Sequence, residues 1–147
     1  MEIYTDGSAM DGRYGSGLVV LYYGQKIHSE MRRLEDYASV YQAELVAIHM
    51  ALTWSLSLKE VTSINLYSDS RSALQALADP SNTSELVLEV KRIRELEIAR
   101  RLVFLHWVKA HVGYLGNELA DESAKEATKL NNVGGTWKKP RSRISKT

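Results

Sequence analysis

GSGLVVLYYGQKIHSEMRR, residues 15–33, and VYQAELVAIHMALTWSL, residues 40–56, carry the change of period that decides the fold. The first stretch opens with a Val/Leu/Tyr-rich run over 15–23, turns at Gly24-Gln25 and returns over 26–33. In the return arm Ile27, Ser29 and Met31 alternate with Lys26, His28 and Glu30, the two-residue repeat of a strand. The second stretch spaces Val40, Ala43, Ala47, Ile48, Ala51 and Leu52 by three and four residues, with Ser39 placed to cap them. That period predicts a helix.

Upstream, residues 1–5 are β-prone and read as a first strand that ends at Asp6-Gly7-Ser8. Downstream, residues 63–67 predict a further strand, after which Asp69-Ser70 caps a helix over 71–78 that Asp79-Pro80 ends. Thr83 or Ser84 opens another helix to about residue 100, with Leu86, Val90, Ile93, Leu96 and Glu97 at helical spacing. Residues 102–108 read as a buried strand, a loop runs through His111-Val112-Gly113, and a last helix covers about 115–130. Three strands in hairpin succession, then helix–strand–helix–helix–strand–helix, imply an α/β class. The five-stranded mixed sheet has three antiparallel strands then two parallel ones, and helices flank it. Catalytic groups in such sheets gather at strand ends and facing helix turns.

The 147 residues suit one domain, and folding at that length buries roughly 68–70% of the exposable surface. There is no cysteine, which excludes disulfides, thiolate zinc sites and cysteine nucleophiles. No apolar run approaches the ~18 residues of a membrane helix, and the N-terminus has no signal-peptide pattern. The expectation is a soluble intracellular protein without a membrane, cytoplasm and nucleus not being distinguished. A net charge of +1 conceals an asymmetry: residues 1–136 carry 14 Lys/Arg against 18 Asp/Glu, while 137–147 carry five basic residues and no acid. Residues 1–130 are therefore read as the folded domain. Residues 131–147, with Gly134-Gly135 and Pro140, are read as a flexible basic tail that contacts nucleic acid or only links. Trp54 and Trp107 are expected in or near the core, and His28 and His49 on the surface.

Four carboxylates stand where this fold could join them. Asp6 ends the first strand beside Gly7, whose missing side chain permits a close approach. Asp69 follows the 63–67 strand. Glu44 shares a helix side with Ala47, Ile48 and Ala51, and Asp121 is flanked by Ala120 and Ala124 in the last helix. Each alone is an ordinary turn, cap or solvated helix residue. Together, carboxylates on core-facing sides are costly unless paired or bound to a cation. All-oxygen ligation favours Mg²⁺ or Mn²⁺ over zinc.

Five segments in order carry a family resemblance: Tyr4-Thr5-Asp6-Gly7-Ser8, Gln42-Ala43-Glu44-Leu45, Tyr67-Ser68-Asp69-Ser70, His106-Trp107-Val108-Lys109-Ala110-His111, and Gly116-Asn117-Glu118-Leu119-Ala120-Asp121. They resemble the successive signatures of type 1 ribonucleases H over about residues 1–130. The wording of Tyr41-Gln42-Ala43-Glu44 and of 111–121 is most similar to ribonuclease H domains of arthropod-type non-LTR retrotransposon polyproteins. The resemblance implies a ribonuclease H-like fold and endonucleolytic hydrolysis of the RNA strand of RNA–DNA hybrids, leaving 5′-phosphate and 3′-hydroxyl ends. It implies two Mg²⁺ ions about 3.5–4 Å apart, with Mn²⁺ able to substitute. Asp6 would bridge them, Asp69 and Glu44 would serve mainly one, and Asp121 the other. His111 matches a mobile-loop histidine that assists proton transfer or product release, with Gly113 beside it. Gly7, Ser8, Glu44 and Gln75 are candidates for the RNA strand and its 2′-hydroxyls. Asn117 supports the last helix or those contacts, and Ser39 is a candidate for a DNA phosphate. Partners implied are the hybrid and a reverse transcriptase domain in the same polyprotein, the isolated domain being monomeric.

Two departures stand out. Many cellular relatives carry asparagines just ahead of the helix glutamate, where this chain has Val40 and Tyr41. Such relatives often insert a basic helix and loop before the last strand, whereas residues 81–101 suffice for one helix of mixed charge, read as a solvated face. Weak affinity for substrate follows, because few phosphates are neutralised. The competing readings are a degraded domain serving as a tether, another nuclease or transferase of the same superfold, and a binding module acting through the tail. Retention of all four carboxylates argues against the first. A glutamate in the first long helix after three strands argues against the second.

Overall fold

The computed structural model describes residues 1–109 and 115–134. Five strands, β1 (Glu2–Met10), β2 (Arg13–Tyr22), β3 (Gln25–Arg33), β4 (Ser63–Ser68) and β5 (Leu102–Trp107), form one sheet in the order β3-β2-β1-β4-β5. β1, β2 and β3 pair antiparallel, while β4 pairs parallel with β1 and with β5, the mixed sheet expected. The helices are α1 (Val40–Ser55), α2 (Arg71–Ala78), α3 (Glu85–Ile98) and α4 (Leu115–Thr128). A single helix, α3, separates α2 from β5, so no second helix is inserted there. No helix among the described residues is long and apolar enough to cross a membrane.

The first strand is longer than its sequence suggests. Asp6-Gly7-Ser8 does not turn; it continues the ladder opposite Gly17, Ser16 and Gly15. The turn comes at Asp11-Gly12, with φ of 53° and 75°, and the second hairpin turns at Tyr23-Gly24, with φ of 50° and 77°. Both are two-residue loops in the left-handed region, whose twist matches that of the flanking strands. The second lies one residue ahead of the expected Gly24-Gln25.

Alternation along β1 and β2 gives the sheet two cores. Ile3, Leu18 and Val20 are fully buried beneath α1, joined by Leu45, Ile48 and Leu52 from that helix. Tyr4, Val19 and Leu21 face the opposite side, where α4 supplies Ala120. Each fully buried aliphatic side chain contributes roughly 1.5–3 kcal/mol. α1 is buried around much of its circumference because it lies between the sheet and α3. The α4 face is packed differently. A Cβ on Gly17 would lie 2.5 Å from Ala124 N and 2.6 Å from Ser123 Cβ, so backbone meets backbone there with only small side chains between.

Three placements differ from expectation. In β3, His28, Glu30 and Arg32 are half-buried on the α1 side, while Ile27 and Met31 are 51% and 42% exposed, because α4 centres on β1 and β2. The His28 ring stacks on Trp54 with centroids 4.6 Å apart, and half-buried His49 lies 3.5 Å from Glu89. Neither histidine is simply a surface residue. On α3, Leu96 is exposed whereas Glu97 is fully buried, 2.5 Å from Ser55 Oγ and 3.3 Å from Arg101 Nε. Arg101, read as part of a solvated face, is buried with it.

Candidate active site

β1 and β4 pair in parallel from Glu2–Asn65 to Thr5–Ser68, and the next residues are Asp6 and Asp69. The two strands part there for a local reason. Ser70 N donates to Ser68 Oγ at 3.1 Å, and Ser70 Oγ accepts from Ala73 N at 3.2 Å, so the chain turns at once into α2. β1 runs on, paired only with β2. Asp6 is therefore mid-strand and buried rather than at a strand end as read from the sequence. It stands at the end of the parallel pairing, where the sheet opens.

Glu44 enters this opening from the α1 side. α1 lies so close to β1 that a Cβ on Gly7 would be 2.6 Å from Glu44 N. Ser16 Oγ donates to Ala43 O at 2.7 Å and ties the same turn to β2. Ser39 caps the helix by accepting from Gln42 N at 3.1 Å. One carboxylate oxygen from each of Asp6, Glu44 and Asp69 lies within 4.8 Å of the others. Asp121 comes from α4 on the other face. Its carboxylate lies against Asp6 and is 2.9 Å from Lys125 Nζ, one turn along the helix.

These acids are held against their inclination. Burial, then the charge of Asp69 and the contact with Asp121, push the Asp6 carboxyl up from 3.8 to about 8. Gly7 N, donating to Asp6 Oδ1 at 2.9 Å, opposes this only in part. Burial, then the charges of Asp6 and Asp69, push Glu44 up from 4.5 to about 10. Contact between two carboxyls requires a shared proton or a cation, and among the described residues buried Glu44 Oε1 has no N–H or O–H donor to accept from. A donor set of hard carboxylate oxygens with unspent acceptor capacity fits a divalent cation of the Mg²⁺ or Mn²⁺ type.

The remaining expected residues are dispersed. Gly7 makes the close approach to Glu44, and Ser8 follows it half-buried in β1. The Ser39 hydroxyl is engaged as the α1 cap, Gln75 is exposed on α2, and Asn117 is 5% exposed near the start of α4. His106 lies in β5 as expected, stacked on Tyr67 at 4.8 Å, with Nε2 2.8 Å from Asn65 Oδ1. His111, Gly113 and residues 135–147 of the tail, Trp137 among them, lie outside the described residues. Two neighbours of the carboxylates escaped the sequence reading. Lys125 could have been found, since an acid four residues before a lysine is a helical ion-pair signal. Trp107, expected near the core, is 42% exposed, and its Nε1 donates to Asp69 O at 3.2 Å. No spacing in the sequence announces that contact.

Comparison with known proteins agrees with the geometry. A family model described as RNase H matches residues 1–129. Ribonuclease H of Bartonella bacilliformis is 31% identical, the alignment covering 94% of this chain and 95% of that protein. Ribonuclease H of Bradyrhizobium diazoefficiens is also 31% identical, over 86% of this chain and 88% of that one. Among solved structures, RNase H1 of the archaeon Halobacterium salinarum superposes with a TM-score of 0.70 at 26% identity, covering 87% of this chain and 96% of the other. By family model, by relatives and by fold, the chain belongs to the ribonuclease H family and is, with that family, a metal-dependent nuclease.

Proposed function

We propose that this chain cuts the RNA strand of RNA–DNA hybrids endonucleolytically, leaving 5′-phosphate and 3′-hydroxyl ends, with Asp6, Glu44, Asp69 and Asp121 holding two divalent ions. The convergence of Asp6, Glu44 and Asp69 within 4.8 Å, with an acceptor atom of Glu44 left unsatisfied among the described residues, is the observation that carries the reading. Two Mg²⁺ ions, or Mn²⁺ in their place, would supply charge neutralisation and Lewis acidity at the scissile phosphate. The residues do the rest. Asp6, grouped with Glu44 and Asp69 and in contact with Asp121, would serve both ions, with Glu44 and Asp69 mainly on one and Asp121 on the other. His111 assists proton transfer or product release. Gly7, Ser8, Glu44 and Gln75 meet the RNA strand, Asn117 supports the last helix or those contacts, and Ser39 meets a phosphate of the DNA strand.

The catalytic domain is residues 1–130, and 131–147 form a tail dispensable for cutting. A finer reading rests on the wording of the motifs around Tyr41–Glu44 and 111–121: a domain of a retroelement polyprotein, working beside a reverse transcriptase. The relatives described above are bacterial and archaeal and lend that reading no weight. A gene that continues into a polymerase would support it.

The test is cleavage of a labelled hybrid in Mg²⁺ or EDTA, beside single-stranded RNA, duplex RNA and duplex DNA. Hybrid-only cutting is expected. Asp69→Asn should reduce it by at least on the order of 10³-fold, about 4 kcal/mol of barrier, with the fold intact. Cutting by Asp69→Asn at near wild-type rate would remove Asp69 from the site, and cutting in EDTA would remove the metal.

A further inference from the structure

Asp69 is the one carboxylate of the three converging acids that leaves its strand at once, and something must hold it. β5 does so along its whole length. Its ladder with β4 runs from Ser63–Leu102 to Ser68–Trp107, and Val108 N donates to Ser68 O at 2.9 Å. The next carbonyl, that of Asp69, lies past the ladder because the chain has turned toward α2. A backbone acceptor in that half-exposed position takes its donor either from solvent or from a side chain. The donor is a side chain: Trp107 Nε1–H points at Asp69 O, 3.2 Å away. The indole adds one rung to a ladder whose main chain has run out.

The indole is itself held. Arg71, two residues past Asp69, places its guanidinium carbon 4.2 Å from the centre of the Trp107 ring. A guanidinium over an indole face is attracted by the ring quadrupole. Trp107 is also 42% exposed, so apolar burial accounts for only part of its placement. A large aromatic ring at the sheet edge, bonded to one side of Asp69 and covered from the other, fixes the peptide that carries the carboxylate.

We propose that Trp107 is a positioning residue for metal binding, acting through the Asp69 carbonyl rather than touching substrate or ion. The inference rests on the reading of Asp69 as a metal ligand. Partners behind a ligand fix its orientation, and losing one typically weakens metal affinity by about 10–100-fold. Trp107 does this through the ligand's backbone, so Asp69 stays in place while its side chain remains free to ligate.

Calorimetric titration of the full chain with Mn²⁺ separates the possibilities. Trp107→Phe keeps a ring for Arg71 and removes only the N–H. It should raise the dissociation constant on the order of ten-fold, with the melting temperature within about 2 °C of wild type. Trp107→Gln gives up the ring but restores an N–H donor, and should recover part of the lost affinity. An unchanged dissociation constant in Trp107→Phe overturns the proposal. An equal loss in the Phe and Gln variants also overturns it, since packing rather than the donor would then be responsible. Asp69→Asn run alongside tells the two readings apart. If it binds Mn²⁺ like wild type, Asp69 is not a ligand. If it binds weakly while Trp107→Phe does not, only the role of Trp107 falls.

Discussion

Thr5 and Ser68 face each other as the last pair of the parallel ladder between β1 and β4, and an aspartate follows each. Thr5 Oγ1 also donates to Tyr67 O at 3.1 Å, locking the two strands together just before they part. The juxtaposition of Asp6 and Asp69 is thus a property of the backbone, set by sheet register. The fold brings the charges together whether or not a cation is there to balance them.

That has a cost in the metal-free protein, and pH exposes it. Asp6 and Glu44 both bind protons more tightly folded than unfolded, at about 8 and about 10. The stability held in those protons is fully present below the unfolded values of 3.8 and 4.5 and is lost as pH rises through the folded ones. In EDTA, melting temperature should fall as pH is raised from 5 to 9, and Glu44→Gln should flatten that fall. Saturating Mn²⁺ should flatten it too, by replacing protons with a cation. Parallel melting curves for the variant and wild type across that range would count against a strained Glu44.

Lys125 should compete with metal at Asp121. Its ammonium is 2.9 Å from that carboxylate, and the contact with Asp121 raises its affinity for its proton. Lys125→Met removes the competitor without adding a charge. Tighter binding in a Mn²⁺ titration is expected, as is half-maximal cleavage at lower Mg²⁺. Weaker binding would mean that the lysine steadies Asp121 for the ion instead.

Gly7→Ala tests the closeness of α1 to β1. The added methyl would meet the backbone at Glu44 N at 2.6 Å, a contact that no rotamer relieves. α1 has to shift and takes Glu44 with it. A misplacement of about 1 Å at a reacting site can cost on the order of 10²-fold in rate, so activity should fall well before the fold is lost. Wild-type cleavage by a folded Gly7→Ala would show that Glu44 tolerates displacement.

Glu97 offers a prediction away from the site. It is fully buried and bound to Ser55 and Arg101, the latter also reaching Leu58 O at 3.0 Å. Glu97→Ala leaves Arg101 buried without its counter-charge, which typically costs about 3–5 kcal/mol. Thermal and denaturant unfolding should show that loss while the residual folded protein still cuts. A change under about 1 kcal/mol would mean that Arg101 finds water or another partner.

Strong periodicity made most of the fold legible, and its failures have physical causes. The 40–56 stretch announced α1 because only a helix satisfies its spacing. β1 was cut short because Asp6-Gly7-Ser8 has turn composition, while the pairing with β2 that carries the strand to Met10 is a tertiary fact. The Asp-Gly pair at 11–12 was the better turn signal. In β3 the alternation was visible but its direction was not, since polar His28, Glu30 and Arg32 lie toward α1. For the site, the acids were readable only together: each alone is an ordinary turn, cap or solvated helix residue, and it is the shared placement on core-facing sides that is costly without a cation. Trp107 was not, because an indole's hydrogen bond to a backbone carbonyl 38 positions away leaves no trace in composition or period.

The seat of α4 on the sheet has one more consequence. With Gly15 and Gly17 below and Ser123, Ala124 and Ala127 above, the gap between the second half of the helix and β2 is already at its floor. Side-chain size at that glycine contact therefore offers no adjustment of how high Asp121, two residues before Ser123, stands over Asp6. Only rotation or sliding of the whole helix changes that height, and either would carry Gly116 across the Tyr4 ring it touches. Among related sequences, variation in the separation of these two acids should trace to where the last helix starts and how it rests on the Tyr4 position, and not to the glycine contact.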